Sequence, residues 1–523
     1  MSQRHSLFWG ISCGLATALL WVLSIPPFKF AEFAYVAFVP LVLWLYTRPS
    51  RQLCIGIAMG TGWGAWFFIL IWLRHVTWGG TIILSGLLAV FFAIWMLSVH
   101  FLLPKVARES FLWRALAFAG IAGTWVVLEW TRSWFLWGFP WAPLALSQWE
   151  RPVVLQVAAW TGAYGVSFML VFFNLCAAQT LYNRVVIKER TFWSGWFSPD
   201  LYLGLVLLGV CIYIFFDSLP RRYSETTLFT AAVVQPYIKP QFKWDEQKAL
   251  ENLKILEKHT LFVASLESDL ILWPEAATPW PVRGNPDMQT WVENLVNMVD
   301  KPILMGNMAA EYEANRWYNG AFLVEPEDGL ADVFYAKREL VPFGEYVPKP
   351  FRFIDKVVPL GGNFIPGVGP NLIEISVNDQ VLNVGSLVCY EDIFPKLARE
   401  STLAGTHVFF VATNNAWYGE EGGATQHAAH SVLRAVENRR PLMRCGNGGW
   451  SGWIDCFGTI RSILYNEEGS IYFRGGGSYS VNHFEEWMNR QSFYTLHGDW
   501  FVLLCGVWSL TNFGAVALLI REQ

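Results

Sequence analysis

Long runs almost free of charge dominate this chain, and they decide where its backbone can go. A bilayer span needs about 20 mostly apolar residues, because in lipid every N–H and C=O must be bonded within the protein. Charge-poor runs at 6–28, 33–47, 52–73 and 76–99 meet or approach that length. A fifth starts at 115 and continues past Glu129 and Arg132, a sixth lies inside the charge-free stretch 152–183, and a seventh is 201–216. From 217 to 499 charged residues, short apolar segments and turn signals alternate as in a water-soluble α/β domain, and 500–520 is apolar again. Composition agrees: 54% of residues are hydrophobic and 15% charged, against roughly 25% charged in soluble proteins. The organisation expected is a polytopic membrane domain of seven helices over 1–217, an inserted α/β domain over 218–498, and one C-terminal transmembrane helix over 499–523.

The first run has basic residues before it but a long apolar part and no small-residue cleavage site before Pro26 and Pro27, so it reads as a retained helix. Arg4, Arg48, Arg51, Lys105, Arg108, Arg114 and Arg184 fall in loops on one side, while Lys29, Arg74, Arg132 and Arg151 fall on the other. That bias puts the N-terminus inside, and seven spans then deliver the α/β domain to the outer face. Glu129 and Arg132 share one helical face among Trp130, Trp134 and Trp137. They read either as an interfacial ion pair in an aromatic belt or as the lining of a lipid-headgroup site. A net charge of −4 argues against a nucleic-acid partner, which would need a basic face. The eight Cys form no CxxC pair, so neither a zinc site nor a disulfide framework is indicated, and Cys445 and Cys456 are expected to be free thiols.

In the α/β region, apolar segments at 228–235, 270–273, 333–335, 381–388 and 408–411 read as buried strands. They alternate with helical patterns at 246–266, 288–298 and 424–438. Ligands collect at the carboxyl ends of strands in such sheets, where Glu275, Lys337 and Cys389 stand. Cys389 precedes a helical pattern, whose N–H groups and dipole favour a thiolate. A lysine can lower the thiol pKa and steady an oxyanion, and a carboxylate can take the thiol proton. A lone strand-end Cys is more often a packed small hydrophobe; the constellation of three carries the reading.

The segments Leu272-Trp-Pro-Glu275, Tyr335-Ala-Lys337, Val341-Pro-Phe-Gly-Glu345-Tyr-Val-Pro348 and Val388-Cys389-Tyr390-Glu391 resemble the carbon–nitrogen hydrolase (nitrilase) superfamily. More closely they resemble its membrane branch, the apolipoprotein N-acyltransferases. Gly138-Phe-Pro-Trp141 with Ser147-Gln148, Gln235-Pro-Tyr with Lys243-Trp244, and Asn414-Asn415-Ala-Trp417 followed by Gln426-His427 extend the resemblance over nearly the whole chain. It implies an αββα sandwich for the α/β domain, with Cys389 as nucleophile, Glu275 as general base and Lys337 as the cation at the tetrahedral intermediate. Glu345 is implied as a second essential carboxylate, Tyr390 and Glu391 as supports of the nucleophile, and Trp244, Asn319 and Trp417 as substrate-entrance residues. The implied reaction is a ping-pong transfer, without cofactor or metal. An acyl chain passes from a phospholipid such as phosphatidylethanolamine, through a Cys389 thioester, to the α-amino group of a diacylglyceryl-cysteine at a lipoprotein N-terminus. The implied setting is a monomer in the bacterial inner membrane, its catalytic domain periplasmic and both termini cytoplasmic.

Loops 280–286 and 343–370, rich in Trp, Phe, Pro and Gly, read as lids that would keep water from a thioester. Asp392 stands where an uncharged residue is more typical of the resembled family, and 445–453 is unusually rich in Gly and Trp. His427 and His430, on one helix face, read as packing or surface rather than metal ligands. The nearest rival is a membrane-tethered nitrilase-type amidase, which would not need a bilayer. A transporter with a sensor domain would show matched, broken helix repeats, and no internal repeat is evident. A catalytically dead lipoprotein-binding scaffold is opposed by the intact Glu275, Lys337, Glu345 and Cys389.

Overall fold

A computed structural model describes residues 3–187, 198–218, 225–243, 245–349, 351 and 364–521. The chain divides into two compact units, Met1–Leu219 with His497–Gln523, and Pro220–Leu496. The first is helical: α1 (Gln3–Ser24), α2 (Val39–Leu45), α3 (Arg51–Ile69), α4 (Trp78–Val106), α5 (Phe111–Thr131), α6 (Ala163–Tyr182) and α7 (Pro199–Ser218), with the C-terminal helix Trp500–Arg521. Among the described residues, seven helices are long and apolar enough to cross a membrane, six of them ahead of the α/β unit.

The run at 33–47 is the exception in form. It folds as a 3-10 turn, Ala31–Tyr35, followed by the short α2. The break between them would leave backbone groups unbonded in an apolar interior, and Asn174 of α6 answers it. Its side chain accepts from Phe38 N at 2.8 Å and donates to Ala34 O at 2.8 Å. Gln148 donates to Ala31 O at 2.9 Å, while after α2 Tyr46 donates to Gln179 at 2.7 Å and stacks on Tyr182. Among the described residues, Ala31–Leu45 is one of two shorter apolar helical stretches, the other being Pro152–Thr161.

Glu129 and Arg132 are both buried, 3.5 Å apart, and they hold the non-helical segment after α5. Glu129 accepts from Leu144 N at 2.8 Å and Trp125 Nε1 at 3.2 Å. Arg132 donates to Trp141 O at 3.3 Å and lies over the Trp66 ring. The two charges are thus bonded to backbone that has left the helix, and they also line a cavity with Trp21, Trp66, Phe92 and Trp125. The C-terminal helix lies on α5 where glycine permits it. A Cβ at Gly123 would stand 2.9 Å from Cys505 O, and Ser509 donates to Gly120 O at 2.8 Å, the close small-residue contact typical of helices in lipid.

The second unit is built of two sheets. One has the order β13-β1-β2-β3-β4-β5, with β6 paired to β4, and the other β12-β11-β10-β9-β8-β7. The strands are β1 (Glu225–Gln235), β2 (Leu270–Trp273), β3 (Ile303–Glu311), β4 (Arg316–Glu325), β5 (Gly329–Leu330), β6 (Tyr335–Ala336), β7 (Ile373–Val377), β8 (Gln380–Val388), β9 (Val408–Thr413), β10 (Leu442–Gly446), β11 (Gly452–Ile454), β12 (Ile460–Ile463) and β13 (Gly475–Phe484). The central strands β1-β2-β3 and β8-β9-β10 run parallel. Their central residues are mostly apolar and buried because both faces are covered there. Leu272, Leu304, Val384, Val388, Phe410 and Met443 share the core between the sheets. Helices α8 (Ala249–Ala264) and α9 (Pro286–Val299) cover the first sheet, and α10 (Pro395–Leu403) and α11 (Gly423–Asn438) pack on the second. The result is the αββα sandwich.

Loop 280–286 is not a free lid: Val282 N donates to Met308 O at 3.0 Å and Ala310 N to Arg283 O at 2.9 Å, tying it to β3. Much of the other expected lid, residues 350 and 352–363, lies outside the described residues. Replacing Asn174 with Leu should leave Phe38 N and Ala34 O unanswered and cost about 1–3 kcal/mol. A thermal scan of the detergent-solubilised protein checks this; an unchanged midpoint would show that the break does not depend on Asn174.

Candidate active site

Strand ends supply the parts of the site. Glu275 follows β2, Lys337 follows β6, Cys389 follows β8, and Thr413-Asn414 closes β9. Cys389 opens the 3-10 turn Cys389–Ile393 with φ of 51°. That left-handed conformation costs a non-glycine residue of order 1–3 kcal/mol unless its surroundings impose it. Two buried groups impose it here. Glu391 accepts from Val388 N at 2.7 Å, from Arg338 N at 2.6 Å and from the Tyr335 hydroxyl at 2.9 Å. One carboxylate thus ties the turn carrying the nucleophile to the segment carrying Lys337. On the other side, His427 Nε2 lies 3.0 Å from Cys389 O.

The chemically capable groups converge. Asn319 Nδ2 donates to Glu275 Oε1 at 2.8 Å and to Glu345 Oε1 at 2.9 Å. Lys337 Nζ lies 3.5 Å from Glu275 Oε1 and 2.9 Å from Glu345 Oε2, and Val341 N donates to Glu345 Oε2 at 2.8 Å. The charges of Glu275 and Lys337 both act on the Cys389 thiol, and Thr413 Oγ1 donates to its Sγ at 3.4 Å. Tyr390 is buried, its ring edge-on to Phe394. Trp417, 43% exposed, stands in the turn Asn415–Tyr418 outside this set of bonds. Trp244 lies outside the described residues.

Electrostatics correct one expectation. Burial and the Glu275 charge push the Cys389 thiol up to about 12, against Lys337 and the Asn414 N–H, which pull it down. That disfavours the thiolate expected from its place before a helix: the turn is short and the site is buried. Burial alone would raise the Glu275 carboxyl, but Lys337, Asn319, the thiol and Lys243 outweigh it and hold it below the usual range. Burial pulls the Lys337 ammonium down, and Glu345 and Glu275 more than restore it. The arrangement gathers a thiol, a carboxyl held acidic and a lysine, the group types that nucleophilic attack with base assistance uses.

Sequence reasoning missed what lies beneath. Asp392 accepts from Ser431 Oγ at 2.6 Å, pairs with His427 Nε2 at 2.8 Å and binds Arg444, all of them buried. Burial would raise this carboxyl, but His427 and Arg444 hold it well below the usual range. His427 is therefore neither surface nor inert packing; it connects this ion pair to the nucleophile's carbonyl. Nothing local signals the partnership, because Asp392 and Arg444 are 52 residues apart. The Gly-rich stretch after β10 threads between two loops of the site. A Cβ at Gly448, with φ of 76°, would stand 2.6 Å from the Tyr237 ring, and Asn447 donates to Asn414 Oδ1 at 2.9 Å. Cys445 and Cys456 are buried free thiols. Among the described residues no group of three or more His, Cys, Asp or Glu is placed to hold a metal ion.

Two family models match the chain: the apolipoprotein N-acyltransferase N-terminal domain over residues 17–176 and carbon-nitrogen hydrolase over 230–482. A curated relative, the apolipoprotein N-acyltransferase of Geobacter metallireducens, is 30% identical over 94% of this chain and 92% of its own length. The chain belongs to the apolipoprotein N-acyltransferase family. Another member, from Rhizobium rhizogenes, is 28% identical over 95% of this chain and 96% of its own. Solved structures similar to part of the chain include an amidase from Nesterenkonia sp., with TM-score 0.37 and 18% identity over 54% of this chain and 99% of that one. Another is Saccharomyces cerevisiae Nit3, of the nitrilase superfamily, with TM-score 0.37 and 17% identity over 53% of this chain and 97% of that one.

Within this member of the family, Asp392→Asn should strand the Arg444 charge in the core and cost about 3–5 kcal/mol. Replacing both with apolar residues, Asp392→Leu with Arg444→Met, should recover most of that loss in thermal unfolding. A double variant no more stable than the single one would show that the cost does not come from the unpaired charge.

Proposed function

We propose that this chain is an apolipoprotein N-acyltransferase acting by ping-pong chemistry on Glu275, Lys337 and Cys389. The observation that carries the reading is a Glu275 carboxylate facing Lys337 at 3.5 Å, the two charges acting together on the Cys389 thiol, in a chain of this family. As Sγ attacks the ester carbonyl of a phospholipid, Glu275 takes the thiol proton and the carbonyl oxygen becomes an oxyanion, with Lys337 the cation to meet it. The ester C–O bond breaks, the lysophospholipid oxygen leaves with the proton held by Glu275, and the acyl group remains as a Cys389 thioester. The α-amino group of a diacylglyceryl-cysteine then attacks the thioester, gives its proton to Glu275, and expels Cys389, which is reprotonated.

Glu345 in this scheme keeps Lys337 and Asn319 in place, Glu391 fixes the nucleophile's turn, and Tyr390 packs beside it. Phosphatidylethanolamine is the donor proposed. Trp244 and Trp417 are proposed to line the substrate entrance, and Asn319, given its bonds, to orient Glu275. The expected setting is a monomer in the bacterial inner membrane with the catalytic unit periplasmic and both termini cytoplasmic. The distribution of Arg48, Arg51, Lys105 and Arg108 supports that orientation.

Incubating the detergent-purified protein with phosphatidylethanolamine should put an acyl mass on the Cys389 peptide that hydroxylamine removes. Cys389→Ser should show no hydroxylamine-labile thioester, and Glu275→Gln should slow loading by about 10²–10⁴-fold. A diacylglyceryl lipopeptide should then discharge the thioester as an amide. An unmodified Cys389 with intact phospholipid would overturn the lipid-donor reading. Loading followed by discharge to water alone would favour the hydrolytic, amidase-like reading.

A further inference from the structure

The short helical turn Pro240–Lys243 places a lysine that the proposed reaction leaves unused. Lys243 is buried, and its Nζ donates to the backbone carbonyl of Glu275 at 2.8 Å. A buried ammonium is rare unless something nearby compensates it, and what lies nearby is the site itself. The groups that act on Lys243 are Glu275 and Cys389. Lys337 and Glu345 complete the cluster through Glu275 and Asn319.

Charge accounting gives the reason for a second cation. With Cys389 as a thiol, Glu275 and Glu345 ionised and Lys337 protonated, these four groups carry one net negative charge, and the Glu391 carboxyl, buried beside the same turn, adds no positive charge to offset it. A low-dielectric site tolerates that poorly, and the imbalance weighs directly on thiol ionisation. Lys243 as an ammonium offsets one negative charge. Burial pulls its pKa down to about 8, while Glu275 and Cys389 hold it up, so it is charged at neutral pH.

We infer that Lys243 is a positioning residue and the second cation of the active site, holding Glu275 by its carbonyl and lowering the cost of negative charge on Cys389. The inference rests on the reading of Glu275 and Cys389 as base and nucleophile. Two properties of Lys243 are involved, a hydrogen bond and a charge, and substitution separates them. Lys243→Gln keeps a donor for the Glu275 carbonyl and loses the charge, while Lys243→Arg keeps the charge.

The readout is the rate of alkylation of Cys389 by iodoacetamide in the detergent-solubilised full chain, followed by mass spectrometry of its peptide on either side of the Lys243 pKa of about 8. Near neutral pH, where Lys243 is charged, losing that charge raises the thiol pKa, so Lys243→Gln should be modified about tenfold more slowly than the parent protein. The gap should close at alkaline pH as the parent's Lys243 loses its proton. Lys243→Arg, which stays charged, should keep the parent's rate near neutral pH. A parent-like neutral-pH rate in Lys243→Gln would overturn the inference, and so would equal slowing in the Gln and Arg variants, which would make the effect one of shape. Because the closing of the gap with pH is read as well as the rate, a partly destabilised variant still decides the matter. Acyl loading is measured separately: slowed alkylation of Lys243→Gln in a protein that never loads acyl groups would sink the transferase reading and leave the role of Lys243 standing.

Discussion

Two carboxylates, a lysine and a thiol are held in one buried place, and the rest of the catalytic unit follows from the need to answer their charges within bonding distance. Removing ionised groups from water costs several kcal/mol each, and attraction repays that only when geometry is good and remaining lone pairs are bonded. Here Glu345 accepts from Val341 N, Asn319 and Lys337, and Glu275 accepts from Asn319 and faces Lys337. These partners come from β4, from the segment after β6 and from the end of β2. All three belong to the first sheet, and the Cys389 thiol comes from the second, so the two sheets must meet before the site is complete. Glu391 adds a strap between the segment after β6 and the end of β8, joining the two sheets at the point where the chemistry is proposed.

The same rule applies in the apolar interior of the helical unit, where these groups are buried. Backbone that leaves helical geometry there needs a partner. The two departures described, at 35–38 and at 138–144, are each answered by polar side chains of neighbouring helices: Asn174 for the first, Glu129 and Arg132 for the second. This explains why charge and amide groups persist in segments otherwise selected for apolarity. Their function is to let the chain bend where a continuous helix would not reach.

Much of this was legible in the sequence because strands of a parallel sheet announce themselves as short apolar runs ending in polar residues. The runs at 270–273 and 381–388 became β2 and β8 almost to the residue, and Glu275 and Cys389 stand just past them. Helical periods at 288–298 and 424–438 were equally faithful. What could not be read were quantities set by distant neighbours. Asp392 looked out of place until Arg444 and His427 arrived from β10 and α11. Lys243 gave no sign of burial, and the 33–47 run concealed its break because the residue that permits it belongs to another helix. The thiolate expectation failed for the same reason. A helix start argues for ionisation locally, but burial and Glu275 are tertiary facts, and they outweigh it.

That failed expectation bears on the proposed chemistry. A thiolate at rest in this site would react with any electrophile that entered, whereas a thiol whose pKa is pushed up to about 12 attacks only as its proton passes to Glu275. Attack is thus coupled to a base that is ionised because Lys337, Asn319 and Lys243 hold it so. After acylation the proton leaves with the alcohol and Glu275 is again a carboxylate, with no thiol beside it to bond. In that state it is poised to accept a proton from an incoming amine. An amine that arrives protonated at neutral pH gains most from such a base, so the cations that make the first proton transfer possible also prepare the second. In the proposed reaction one electrostatic arrangement serves both halves.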